Sequence, residues 1–306
     1  MDTFDRLFTA RQLVALTTFS DLVGETRERV LRDALSTGMA EGERLEEGGS
    51  GAAAYADAVA TYLGIAVNRL TDSNNALVTW SSSRDQSRNL FARQAIPMSW
   101  DFCEVSPFAG AAGDLEVSAR SLTSVLAALP AAGTGCASQA DAATRDYSGV
   151  VISTDPPYYD NIGYSDLSDF FYVWLRRSLK GIHPRLLSTV LVPKEEELVA
   201  NPYRHGGRDG AKDFFEDGFE RVFARARRNA NPDYPMTVYY AFKQSETTTD
   251  GRTSTGWATI LGAMIRSGWT ITATWPMRSE RGGRMTSVGT NALASSIVLV
   301  LRPRPE

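Results

Sequence analysis

The sequence predicts an α/β protein with a helical N-terminal region, on three observations. Apolar residues recur at helical spacing as far as Leu129. From Gly149 onward, short runs rich in β-branched residues alternate with helical segments. The first of those runs, Gly149-Val150-Val151-Ile152-Ser153-Thr154, leads directly into Asp155-Pro156-Pro157-Tyr158, a turn whose two prolines fix the backbone.

The elements follow in order. Residues 9–35 read as a helix, with Leu13, Leu16, Phe19, Leu22 and Val23 on one stripe and Thr9 as its N-cap. Residues 38–51 are rich in Glu and Gly and read as an exposed loop. Residues 52–75 read as a second amphipathic helix, with Tyr55, Val59, Tyr62, Leu63, Ala66 and Leu70 facing the core. A shorter helix is expected over 84–94. A helix over 115–129 is ended by Pro130. Residues 149–154 have the composition of a buried strand. Helices are then expected over 165–179, 214–229 and 257–266, the last closed by Gly268, and strands over 236–242, 270–275 and 295–301. That order describes an open, mostly parallel sheet that ends in an antiparallel pair. It divides the chain into a mainly helical region, 1–130, packed on a catalytic half, 131–306.

Composition excludes several functions. No apolar run reaches the roughly 18 residues of a membrane span, and the acidic start Met1-Asp2-Thr3-Phe4-Asp5 is no signal peptide, so a cytoplasmic protein is expected. Two histidines, His183 and His205, and two distant cysteines, Cys103 and Cys136, make no metal set. A net charge of −4 argues against nonspecific nucleic-acid binding by the whole surface but leaves room for a local basic loop.

The chemistry is concentrated after the run that ends at Thr154. Ligands of open α/β sheets bind at the carboxyl ends of strands. Pro156 and Pro157 offer carbonyls and no N–H, Asp155 adds a carboxylate, and Tyr158 a flat ring. This set suits an exocyclic amine on a planar ring. The amine donates to the Asp155 carboxylate and the Pro156 carbonyl, and Tyr158 stacks on the ring. A base in a duplex must be flipped out to reach such a turn. Tyr159 and Asn161 adjoin it and are candidates for steadying the substrate. A rigid turn in which Asp155 caps a helix is the plainer alternative.

Asp-Pro-Pro-Tyr after a strand resembles the catalytic motif of adenine-N6 DNA methyltransferases. The longer run 155–176, Asp-Pro-Pro-Tyr-Tyr-Asp-Asn-Ile-Gly-Tyr-Ser-Asp-Leu-Ser-Asp-Phe-Phe-Tyr-Val-Trp-Leu-Arg, resembles the adenine-specific DNA methylases that carry a DUF1156 domain and a zinc ribbon. Residues 8–16, 91–101 and 275–280 are similar to segments of the same family, so the likeness spans about 8–302. It implies a Rossmann-like methyltransferase sheet, S-adenosylmethionine as cofactor, and a flipped adenine of DNA as substrate. An RNA base or a protein glutamine carries the same planar amine, and a noncatalytic nucleic-acid-binding piece is the reading from another class.

The family's cofactor loop, Asp-Pro-Phe-x-Gly-x-Gly, has only a degenerate counterpart here, Ser106-Pro107-Phe108-Ala109-Gly110-Ala111-Ala112-Gly113. The roughly 40 residues from Gly113 to Thr154 hold one helix and one short strand, too few for two further strand–helix units. The chain is therefore expected to match the second half of the sheet, the C-terminal part of a longer methylase. An upstream methylase region, in cis or in trans, would supply the cofactor loop; the alternative is that Phe108 and Gly110 belong to a working one. Asp141, shortly before the catalytic strand, falls where the family has an acidic residue near the cofactor. Arg278, Arg281 and Arg284, interleaved with Gly282 and Gly283, form a basic loop able to contact phosphates. Phe170, Phe171, Tyr172 and Trp174 are expected in the core, and the arginines of 221–228 on a solvated helix face.

Overall fold

The computed structural model describes residues 3–92, 95–129, 135–159, 162–241, 255–277 and 296–305. It is a mixed α/β protein in two compact units. Met1–Ala137 with Tyr164–Lys194 form the first, and Ser138–Gly163 with Glu195–Glu306 the second.

The first unit is helical. Helix α1 (Ala10–Ser36) starts at Thr9 with the reciprocal cap that its sequence calls for: the Thr9 side chain accepts from the Gln12 amide, and the Gln12 side chain accepts from the Thr9 amide. Leu16, Phe19 and Val23 are buried, whereas Leu22 is exposed. Helix α2 (Ala52–Thr71) departs from the expected face. Ala66 and Leu70 are buried as expected, but Tyr55 and Tyr62 are exposed, and the buried stripe adds Ala53, Ala56, Ala60, Gly64 and Val67. Small residues win because the neighbours come close: a Cβ on Gly64 would lie 2.7 Å from the Leu179 side chain. The described residues of 84–94 do not form the expected helix. Strands β1 (Trp80–Ser81) and β2 (Gln86–Ser87) pair as a hairpin, turned through Asp85 at φ 50°. Helix α3 (Leu115–Ala128) is where the sequence puts it.

Beneath these helices lies a buried carboxylate. Asp57 is inaccessible and receives hydrogen bonds from Arg27 Nε at 2.6 Å, Arg44 Nε at 2.5 Å and the Leu45 amide at 3.2 Å. Burial alone would push its carboxyl up; the bonds from Arg44 and Arg27 outweigh that and hold it below the usual carboxylate range.

In the second unit, strand β3 is only Ser153–Thr154. Helix α4 (Tyr164–Leu179) follows β3 in sequence yet belongs to the first unit, where Phe170 and Trp174 are buried against Phe8 as expected of core residues. Helix α5 (Arg208–Arg228), strand β4 (Met236–Ala241), helix α6 (Thr255–Arg266), strand β5 (Trp269–Met277) and strand β6 (Ser296–Pro303) complete the second unit. Gly268, at φ 85°, ends α6 as expected. The sheet runs β3-β4-β6-β5. Among the described residues only β3 and β4 are parallel; β6 inserts between β4 and β5, antiparallel to both. The expected terminal antiparallel pair is present, but the sheet is not mostly parallel. Helices α5 and α6 share one core with the sheet: Phe215, Phe219 and Phe223 pack with Ile260 and Met264 on Val238, Tyr240, Trp269, Leu299 and Leu301.

The arginines of α5 do more than meet solvent. Arg225 donates to the Arg145 carbonyl, and Arg227 to the carbonyls of Gly268 and Arg304. The run before Asp155 is not buried as expected. β3 is an edge strand limited to Ser153–Thr154, and Val151, which precedes it, is 59% exposed.

Candidate active site

Asp155 follows Thr154, the last residue of β3, so it stands at a strand's carboxyl end. Because β3 and β4 run parallel, with Ser153 opposite Thr237 and Thr154 opposite Val238, the end of β4 lies on the same side. Tyr240 is near that end. The expected turn therefore opens on the edge of the sheet where parallel strands present ligands.

The turn is built from what its residues lack. A carboxylate early in a turn ordinarily accepts from the backbone amides two or three positions on. Pro157, two positions on, has no N–H, and neither has Pro156. Asp155 stays exposed, and its Oδ1 receives the Tyr158 hydroxyl at 3.0 Å. No hydrogen bond among the described residues occupies the Pro156 or Pro157 carbonyl. The arrangement is a cluster of acceptors with a single hydroxyl donor within it.

Aromatic rings hold the turn. Tyr158 meets Tyr240 edge to face, 5.0 Å between centroids at 74°. Tyr240 is buried and meets Trp257 at 5.5 Å. Tyr159 packs edge to face on Phe215 at 5.1 Å, and its carbonyl accepts from the Ala200 amide at 2.8 Å. Tyr240 and Trp257 were not among the sequence candidates. The available signal was Tyr239-Tyr240 at the end of an apolar strand, and a tryptophan in the first turn of the helix that follows.

The remaining candidates separate. Asn161, Arg278, Arg281 and Arg284 lie outside the described residues. Asp141 is in the second unit, on an exposed turn, where its Oδ1 accepts from the Ala143 amide at 2.9 Å. Phe108 and Gly110 are in the first unit. Phe108 is 77% exposed and touches Phe19 edge to face.

The turn around Gly110 does not fit a cofactor loop, which must turn free amides toward its ligand. Asp114 caps α3 by accepting from Glu116 N and Val117 N at 2.7 and 3.2 Å, and its other oxygen takes the Gly110 amide at 2.8 Å. Leu115 N is bound to the Pro107 carbonyl. The Gly110 amide foremost, with those of Val117 and Glu116, holds the Asp114 carboxyl below its ordinary range. A carboxylate of the chain itself thus occupies the Gly110 amide, which such a loop would turn toward its ligand.

The fold and this turn define a mixed α/β protein with an acceptor-lined site at a strand's carboxyl end. Compared with family models, with curated proteins and with solved structures, the chain matches none. Among the described residues no helix is long and apolar enough to cross a membrane, and no group of three His, Cys, Asp or Glu side chains is set to hold a metal ion.

Proposed function

We propose that the Asp155 turn is the substrate side of an adenine-N6 DNA methyltransferase. The observation that carries this is a carboxylate and two proline carbonyls left without backbone donors at the carboxyl end of β3. A flipped adenine presents a primary amine with two N–H donors. One goes to Asp155 and one to the Pro156 carbonyl, which concentrates the lone pair on nitrogen, and the Tyr158 ring stacks on the base. In this reading the β3-β4-β6-β5 sheet is half of a Rossmann-like methyltransferase sheet.

S-adenosylmethionine is the cofactor this reading calls for, and the turn at Phe108 and Gly110 does not fit it. The cofactor site is then supplied by a further methylase region, in cis or in trans. Calorimetry of residues 1–306 with S-adenosylmethionine is expected to show no micromolar binding. The same committed amide at Gly110 favours a second reading, a noncatalytic nucleic-acid-binding piece.

The substrate reading is tested without the cofactor. A DNA duplex with adenine opposite an abasic site makes base extrusion cheap. Its binding, followed by fluorescence anisotropy, is expected to exceed that of the same duplex with hypoxanthine, which lacks the amine. Asp155→Ala should erase the difference, and Tyr158→Ala should weaken binding by about 1–3 kcal/mol of stacking. Equal binding of the two duplexes by the unaltered chain would overturn the substrate reading and leave the noncatalytic one.

A further inference from the structure

We infer that Tyr240 is a positioning residue for the Asp155 turn, and that the Tyr158 hydroxyl, beyond its ring, serves the site by orienting the carboxylate. This rests on the substrate reading above and deepens it. Stacking needs only a ring; phenylalanine would supply it. Here the phenol does something a phenyl ring does not, because its hydroxyl reaches Asp155 Oδ1 at 3.0 Å. A carboxylate on an exposed turn otherwise rotates between several settings. A donor fixed on one oxygen leaves the other oxygen turned to a substrate amine and keeps the group a pure acceptor.

That hydroxyl is placed by the ring it belongs to, and the ring is placed by Tyr240. Tyr158 sits on a turn. Tyr240 sits on β4, which pairs with β6 from Met236–Leu301 to Ala241–Ser296 and with β3 on its other side. Tyr240 is buried in the core with Phe215 and Val238. Its edge-to-face contact with Tyr158 at 5.0 Å therefore ties a mobile kind of element to a rigid one. Trp257 supports Tyr240 from α6, 5.5 Å away. The chain of contact runs from the sheet to Tyr240, to Tyr158 and to the Asp155 carboxylate, and only the last two face the substrate.

The test is a double-mutant cycle on the adenine and hypoxanthine duplexes. Asp155→Asn, Tyr158→Phe and their combination are compared by anisotropy. Tyr158→Phe keeps the ring and is expected to lower adenine binding about tenfold, with the double variant no weaker than Asp155→Asn alone. Tyr240→Leu is expected to act like Tyr158→Phe and to couple to Asp155→Asn, whereas Tyr240→Phe restores binding. A role in stability alone would leave Tyr240→Leu additive with Asp155→Asn. Should Tyr240→Leu lose its circular dichroism signature, the Tyr158–Asp155 cycle decides by itself. If Asp155→Asn weakens binding while Tyr158→Phe matches the unaltered chain, this inference is overturned and the substrate reading stands. If Asp155→Asn and hypoxanthine both change nothing, the substrate reading falls and this inference with it.

Discussion

Two turns of this molecule each set an aspartate near a proline and an aromatic ring, and they use it in opposite ways. At 106–114 the carboxylate of Asp114 faces three backbone amides and is taken up by them. At 155–158 the carboxylate of Asp155 is followed by two residues that have no amide proton, and it stays exposed with only the Tyr158 hydroxyl on it among the described residues. An aspartate in a turn is taken up as a cap or left exposed according to the backbone donors within reach. In the second turn, the prolines decide it.

Removing each carboxylate should separate the two uses. The largest effect is expected of Asp155→Ala, which should abolish the preference for adenine over hypoxanthine and leave Tm unchanged, as read by anisotropy and thermal melting. A third aspartate calibrates the comparison. Asp57 is buried between Arg27 and Arg44, so Asp57→Ala strips both guanidiniums of their buried acceptor and should cost about 3 kcal/mol in urea denaturation. Unchanged stability would show that the Asp57 cluster is not closed in solution.

Pro157→Ala tests the proline argument directly. It restores an amide two positions after Asp155, which the carboxylate can capture, and adenine binding should fall about fivefold with Asp155 intact. Binding equal to that of the unaltered chain would mean that the prolines act only through rigidity. Asp114→Ala should lower Tm by about 2–4 °C through loss of the α3 cap, with no effect on either duplex.

The pH dependence is the smallest and most general test. Asp57 and Asp114 both have carboxyls held below the ordinary range in the folded chain. Each adds stability above the unfolded carboxylate value of about 3.9, and that stability is lost as pH falls through the lower folded value. Acid unfolding is therefore expected below pH ~4. In Asp57→Asn the loss of stability over that range should be shallower, and a slope unchanged from the parent would remove Asp57 from the account.

Much of this was legible before the fold. Thr9 announces the start of α1, Gly268 closes α6, and the apolar run that ends at Thr154 places the turn at a strand's end. The shortage of backbone donors beside Asp155 was also legible, since proline has no amide proton in any fold. These are local facts, carried by dihedral limits, caps and periodicity within a few residues.

Only the tertiary structure decided the rest. Whether α2 buries its tyrosines or its alanines depends on how closely Leu179 approaches Gly64, and a tyrosine serves on either face. The antiparallel insertion of β6 between β4 and β5 joins strands distant in sequence, so no local pattern encodes their order. Val150 and Val151 precede β3, outside the sheet, and are exposed, which the apolar composition of the run conceals. The meeting of Tyr158 with Tyr240 arises because two parallel strands end side by side, 82 residues apart in the chain. The sequence by itself determined which groups the site has to offer; the packing of distant strands decided what holds them.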